Sequence, residues 1–310
     1  MDIKTDYEHR STQDLQWLLE SMSVSEFLAN YWDKACLWAA GRFGRFHELM
    51  PWDTLNHLIG LQYLEPWRIK LALDGRELPA ESYTRWTGTR RFVDVTSVEK
   101  QVRNGASLIL VAIEELWPPL KQLVTELELT LGDRVWVNAY LAFGNANGFG
   151  LHWDHHDVFI LQIFGSKRWS VFGPPDPHPL GNLTDEQDCD SLISVWEGPL
   201  RDGALLYIPR GFPHQASAQQ EATLHLTVAI KPRTAIDLVH WLADRLGDDP
   251  LFRASLPRNP KGAAQQLLMT ELLDRLRMRW AGISIPDFFR DYDERTLERR
   301  ISNFPVAAQE

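Results

Sequence analysis

Residues 150–169, GLHWDHHDVFILQIFGSKRW, place three histidines and two aspartates within six positions, immediately ahead of an apolar run. Imidazoles and carboxylates at this density point to metal ligation. An extended chain directs residues i and i+2 to one side, so His152 and Asp154 converge while Trp153 turns away. By the same spacing His155 falls on the opposite side. His156 shares the parity of the pair, so it is less easily excluded as a further ligand; the alternative places it at the mouth of the site, facing substrate. A third ligand must come from another segment. His214 in YIPRGFPHQA is the well-placed candidate, aimed by the Pro-Arg-Gly-Phe-Pro turn ahead of it. Two imidazoles and one carboxylate hold a metal by one face and leave positions open for a chelating co-substrate and dioxygen, which suits non-haem Fe(II). Zinc is the competing metal, since hydrolases use a similar open set. A His-x-Asp pair alone is a weak signal, because most such pairs are polar strand ends.

These residues sit among short runs rich in Val, Ile, Thr and aromatics, broken by Gly, Pro and Asn: VWVNAYLAF, DVFILQIF, KRWSVF, ALLYIP and TLHLTVAI. Such spacing predicts an antiparallel β-sandwich or barrel ending at Lys231-Pro232. Phe164 and Lys167 flank Gly-Ser, a two-residue hairpin signal, so KRWSVF is expected to fold back on DVFILQIF. Helices are expected on both sides. SVSEFLANYWDKA begins with Ser23 or Ser25 as a cap and carries Phe27, Leu28, Tyr31 and Trp32 at helical spacing; PWDTLNHLIG is a second short helix. ASLILVAIEELWPPLKQLVTELELTLG starts as a buried strand and becomes helical through Leu116, Leu120, Leu123 and Leu127 until Gly132 stops it. After residue 233, AIDLVHWLADRLG and AAQQLLMTELLDRLRMRW are helical, separated by the Pro-rich LPRNPKG.

Taken in order, GLHWDHHDVFILQIFGSKRWSVF, LLYIPRGFPHQA and HLTVAI resemble the JmjC, or cupin-like, oxygenases that use Fe(II) and 2-oxoglutarate, and within them the ribosomal oxygenase group. FLANYWDKACLWAAG and GASLILVAIEELWPPL also resemble that group's N-terminal half, so the similarity covers most of residues 23–233. The resemblance implies a mainly β fold with flanking helices: a double-stranded β-helix (jelly roll) catalytic domain over residues 1–233 and a C-terminal helical region over 234–310. It implies iron held by His152, Asp154 and His214, with 2-oxoglutarate and O2 as co-substrates. Lys167 matches the basic residue that pairs with the distal carboxylate of 2-oxoglutarate. A lysine turned inward in an apolar run needs an anionic partner; the alternative is a surface lysine reaching water beside the turn. Arg168 then takes the outer face. Asn138, Tyr140 and, less closely, Thr227 match positions that hydrogen-bond the co-substrate; the alternative for each is a satisfied polar group in a barrel wall. The family's serine two positions beyond that threonine is Ala229 here. Trp153 and Trp169 flank the site in sequence, and core packing accounts for both equally well. Because Asp154 is present, hydroxylation is implied rather than halogenation.

The implied substrate is an arginine or histidine side chain of a ribosomal protein. Alternatives are a peptide, a free amino acid or amino-acid-like biosynthetic intermediate, demethylation of methyl-lysine, and a non-catalytic cupin-like scaffold. The balance of 42 acidic against 32 basic side chains, a net charge of -10, suits a basic partner and opposes direct nucleic-acid binding. Cys36 and Cys189 have no paired spacing, the N-terminal MDIKTDYEHR lacks an apolar signal core, and no run is long enough to span a bilayer. A cytoplasmic protein is expected. Leu268, Leu272 and Leu276, spaced four apart beside Leu273 and Trp280, form a stripe expected either to pack on the chain itself or to seam a homodimer.

Overall fold

The computed structural model describes residues 14–60, 64–144, 149–174, 178–179, 192–219, 221–258 and 262–291. The N-terminal ten residues and Cys189 lie outside these, as does part of the Pro-rich break. The chain divides into two compact units, Met1–Pro232 and Arg233–Glu310.

The strands of the first unit are β1 (Leu37–Ala39), β2 (Ile69–Leu73), β3 (Arg76–Glu77), β4 (Thr84–Thr87), β5 (Arg90–Val93), β6 (Ser107–Leu110), β7 (Arg134–Ala142), β8 (Asp157–Phe164), β9 (Ser166–Phe172), β10 (Ser194–Arg201), β11 (Leu205–Ile208), β12 (His214–Ala218) and β13 (Thr223–Lys231). They form an antiparallel eight-stranded sheet in the order β1-β11-β8-β13-β7-β6-β2-β3, a three-stranded sheet β10-β9-β12, and the small ribbon β4-β5. This is the double-stranded β-helix. Helices α1 (Leu15–Leu19), α2 (Val24–Asn30), α3 (Trp52–Gly60), α4 (Val95–Arg103) and α5 (Pro118–Leu131) flank it. Helix α2 is capped by Ser23, whose Oγ accepts the Glu26 N–H, and α5 ends at Gly132 in the left-handed region, as its sequence predicts.

The central strands are buried on both faces. In β7, β8 and β13, one set of alternate residues (Val135, Val137, Ala139; Phe159, Leu161, Ile163; Leu224, Leu226, Val228) packs with the helices in the large core. The other set faces inward. Val158, Ile160 and Ala229 meet Trp169, Val171 and Leu200 of the small sheet in a second core. The period of two thus assigns each side chain to one of two compartments.

Two expectations change. β8 pairs with β11 and β13, whereas β9 pairs with β10 and β12, so the Gly-Ser turn is a crossover between sheets and not a hairpin. The turn glycine is still required: Gly165 has φ +65°, and a Cβ there would lie 2.2 Å from the Ala222 carbonyl oxygen. Strand β10 was not expected, because Gly198 and Pro199 interrupt its pattern. It lies at the edge of the small sheet, where a missing N–H is tolerated.

The second unit contains α6 (Ala235–Leu246), α7 (Pro250–Arg253) and α8 (Ala263–Ala281). Thr234 and Asp237 form a capping box at the start of α6, and Trp241, Leu242 and Phe288 make its small core. On α8, Leu268, Leu272 and Leu276 are half-buried, while Leu273 and Trp280 are 45% and 48% exposed.

Gly165→Ala should lower unfolding free energy by about 2 kcal/mol or more, since it adds a clash to a left-handed backbone. A urea midpoint equal to the wild-type value would show that the crossover does not need glycine.

Candidate metal centre and its cavity

His152 and His214 form an isolated antiparallel bridge: the His214 N–H donates to the His152 carbonyl at 2.7 Å and the His152 N–H to the His214 carbonyl at 3.1 Å. Each imidazole then bonds the carbonyl two residues before it, His152 Nδ1 with Gly150 O at 2.8 Å and His214 Nδ1 with Phe212 O at 2.9 Å. A carbonyl only accepts, so both rings carry the proton on Nδ1 and turn Nε2 inward as a lone-pair donor. The Asp154 Oδ2 lies 3.8 Å from His214 Nε2, and one ligand atom from each of the three residues falls within 4.8 Å of the others.

The structure therefore brings His152, Asp154 and His214 together, but not by strand parity. Residues 153–156 belong to no strand, and β8 begins only at Asp157. Asp154 is held instead through its backbone, whose carbonyl accepts the Gly211 N–H at 2.9 Å. His156 approaches the carboxylate alone, at 3.9 Å, with its ring 4.9 Å from that of Trp136. His155 stands against His156. Neither belongs to the cluster of three.

The electrostatics keep His214 and Asp154 in metal-binding form. Burial, with His152 nearby, pushes the His214 imidazole down to about 4, so it is neutral at pH 7. Burial alone would raise the Asp154 carboxyl, but His156, His214, His152 and His155 outweigh it and hold that carboxyl below its ordinary range.

Beyond the three candidate ligands the cavity is lined by Ser107, Tyr140, Lys167, Trp169, His225 and Thr227, with Ile109, Phe149, Val158 and Ile160 as apolar wall. Lys167 is 5% exposed and makes no ion pair among the described residues. Burial drives its ammonium down to about 8. Arg168 points out and pairs with Glu197 at 2.6 Å. Tyr140 lines the cavity and stacks on its cross-strand partner His225, with ring centroids 4.9 Å apart and planes 3° from parallel. Asn138 does not line the cavity: its Oδ1 accepts the Ala112 N–H at 3.1 Å, and it hydrogen-bonds Tyr140. Ala229 is wholly buried among apolar neighbours.

Two wall residues, Ser107 and His225, escaped the sequence reading, which leaves Trp169 between site and core. Ser107 Oγ, Trp169 Nε1 and His225 Nδ1 are buried without a hydrogen-bond partner. Burial first, then Lys167, keeps His225 neutral by lowering its pKa far below the ordinary value. The alternation of TLHLTVAI could have placed His225 beside Thr227 on the inner face, since the two are i and i+2. Buried polar groups in a native protein are nearly always satisfied, so these orphans and the lone ammonium mark a place for a polar, anionic ligand.

Residues 117–238 match the JmjC domain family. The chain is similar to ribosomal oxygenase 1 of Rattus norvegicus, at 27% identity over 273 residues, which are 81% of this chain and 43% of that protein. It is similar also to the bifunctional lysine-specific demethylase and histidyl-hydroxylase NO66 of Brugia malayi, at 32% identity over 141 residues, 43% of this chain and 20% of that protein. The chain thus spans less than half the length of these relatives. The Escherichia coli ribosomal oxygenase YcfD, solved with cobalt and 2-oxoglutarate, shares the fold, with a TM-score of 0.56 and 22% identity over 88% of this chain and 69–70% of that one. Among the described residues no helix is long and apolar enough to cross a membrane.

Asp154→Ala should weaken Co(II) or Mn(II) binding by at least a hundredfold, while His156→Ala should change it less than threefold. Calorimetric titration of the two variants checks this, and a comparable loss in both would return His156 to the ligand set.

Proposed function

We propose that this chain is an Fe(II)- and 2-oxoglutarate-dependent oxygenase that hydroxylates an amino-acid side chain of a protein. The observation that carries this reading is the open two-histidine, one-aspartate cluster sharing one cavity with a buried, unpaired lysine. A zinc hydrolase has no use for that cation. An anionic co-substrate chelating the metal at one end and meeting an ammonium at the other uses both.

The residues fit that assignment. His152, Asp154 and His214 would hold the iron. Lys167 would take the distal carboxylate, assisted by the hydroxyls of Thr227 and Tyr140, with Asn138 fixing Tyr140 from behind. When bound, iron, 2-oxoglutarate and O2 supply the chemistry: the oxoacid loses carbon dioxide to become succinate, one oxygen atom enters succinate, and the other converts a C–H bond to C–OH. The chain's own contribution is alignment and exclusion of water. Ile109, Val158 and Ile160 make one wall apolar, and burial, with Asp154 nearby, keeps the Tyr140 phenol protonated as a donor.

The relatives' names carry the substrate assignment: ribosomal oxygenases and histidyl-hydroxylases act on proteins, and the net charge of -10 favours a basic one. A ribosomal protein is the target we assign, and a second copy of the chain is the partner we assign to α8, which exposes Leu267, Leu273, Met278 and Trp280.

Lys167→Ala should raise the 2-oxoglutarate concentration required by about two orders of magnitude, as expected for loss of a charge-assisted contact in a dry site. Because the free ammonium titrates near 8, wild-type affinity should fall about tenfold for each pH unit above that value, and the alanine variant should lose this dependence. A flat wild-type profile would remove Lys167 from the contact. For the substrate, host extract treated with wild type and with His152→Ala is compared by mass spectrometry. Ribosomal-protein peptides heavier by one oxygen should appear with wild type alone; an unchanged ribosomal set would refute that target.

A further inference from the structure

We propose that Asp33, Arg210 and Asp157 are positioning residues, a clamp that sets His214 against Asp154 at metal-binding distance. This rests on the metal reading of the site given above. The loop Pro209–Pro213 delivers His214, and two of its three backbone donors, those of Arg210 and Gly211, go to the segment that holds the other two candidate ligands, while the Phe212 N–H closes on the Pro209 carbonyl. Arg210 N–H donates to Asp157 Oδ1 at 2.7 Å, Gly211 N–H to the Asp154 carbonyl at 2.9 Å, and His214 N–H to the His152 carbonyl at 2.7 Å. The Asp157 carboxylate is therefore the template for the start of the loop.

The other end of the clamp comes from far away in sequence. Arg210 grips Asp33 with two prongs, Nε to Oδ1 at 3.1 Å and Nη2 to Oδ2 at 3.3 Å, the planar fork that fixes orientation as well as distance. Asp33 donates its own N–H to the Tyr207 hydroxyl at 3.0 Å, and that hydroxyl lies against Asp157. The four residues close a ring around the loop.

Two costs are concentrated in this ring. Asp157 is fully buried and its Oδ2 has no hydrogen-bond partner, an expensive state for a carboxylate. Burial accordingly raises its carboxyl to about 7. Asp33 adopts φ +57°, a left-handed backbone that non-glycine residues seldom take. Neither feature is needed to build the sheets, whose strands are satisfied by their own ladders. Both converge on the segment that must place one imidazole, and outer contacts that orient metal ligands typically change metal affinity ten- to a hundredfold when removed.

The test uses the full chain with Asp33→Asn, Arg210→Lys and Asp157→Asn, each titrated with Co(II) or Mn(II) by calorimetry and melted without metal. Dissociation constants should rise tenfold or more in each, with an altered Co(II) visible spectrum, while the metal-free melting temperature of Asp33→Asn and Arg210→Lys stays within a few degrees of wild type. An Arg168→Lys control in the exposed Glu197 pair should bind as wild type does. Variants that bind metal with wild-type affinity, whether or not they melt earlier, would overturn the clamp and leave the metal site standing. A wild-type chain that binds neither ion would overturn the site itself and the clamp with it. Should Asp157→Asn fail to fold, the two milder variants decide.

Discussion

Two backbone hydrogen bonds between His152 and His214 hold this structure to its purpose. Each contributes only about 1 kcal/mol to stability, yet together they fix the separation of two imidazoles that lie 62 positions apart in sequence. The i−2 carbonyls at Gly150 and Phe212 then set both rings in the same tautomer. Much of the β framework can be read as support for that bridge. In the eight-stranded sheet β8 begins at Asp157, three residues after Asp154, the small sheet begins β12 at His214, and the crossover at Gly165 lets one chain serve both.

Charge in the cavity is similarly economical. Burial keeps His214 and His225 neutral and the Tyr140 phenol protonated, so Lys167 supplies the cavity's positive charge while the Asp154 carboxylate stays ionised. A buried ammonium of this kind carries an electrostatic cost, and an anion bound beside it would remove that cost and stabilise the fold by mass action. Recognition and stability are thus linked through one side chain.

The clustering of His152, Asp154 and His214 and the β architecture were legible in the sequence, because His-x-Asp, the Pro-Arg-Gly-Phe-Pro turn and the short Val/Ile-rich runs are local signals. Lys167 was legible as an inward charge. The pairing of β8 was not, since a Gly-Ser turn between two apolar runs looks alike whether the chain returns to the same sheet or leaves for another. β10 was hidden by Gly198 and Pro199, whose tolerance depends on an edge position that sequence does not reveal. Strand parity selected His152 and Asp154, although the segment proved irregular. Ser107 and His225 were missed, and the sequence leaves Trp169 undecided between site and core, because an unpartnered atom is a property of three dimensions. The same holds for Asp33, which lies 177 residues from the arginine it grips.

The alternation of β7, β8 and β13 between two compartments has a consequence for how this protein can change. Odd positions of β7 and even positions of β13 belong to the helical core, while Asn138, Tyr140, His225 and Thr227 occupy the intervening places. Point substitutions can therefore retune the chemistry and the scaffold separately, as if they were two texts interleaved letter by letter. A one-residue insertion or deletion within any of these strands would exchange the two texts downstream, sending leucines into the cavity and polar groups into the core. Variation in substrate choice is accordingly free to accumulate in the loops, where length can drift without crossing that boundary.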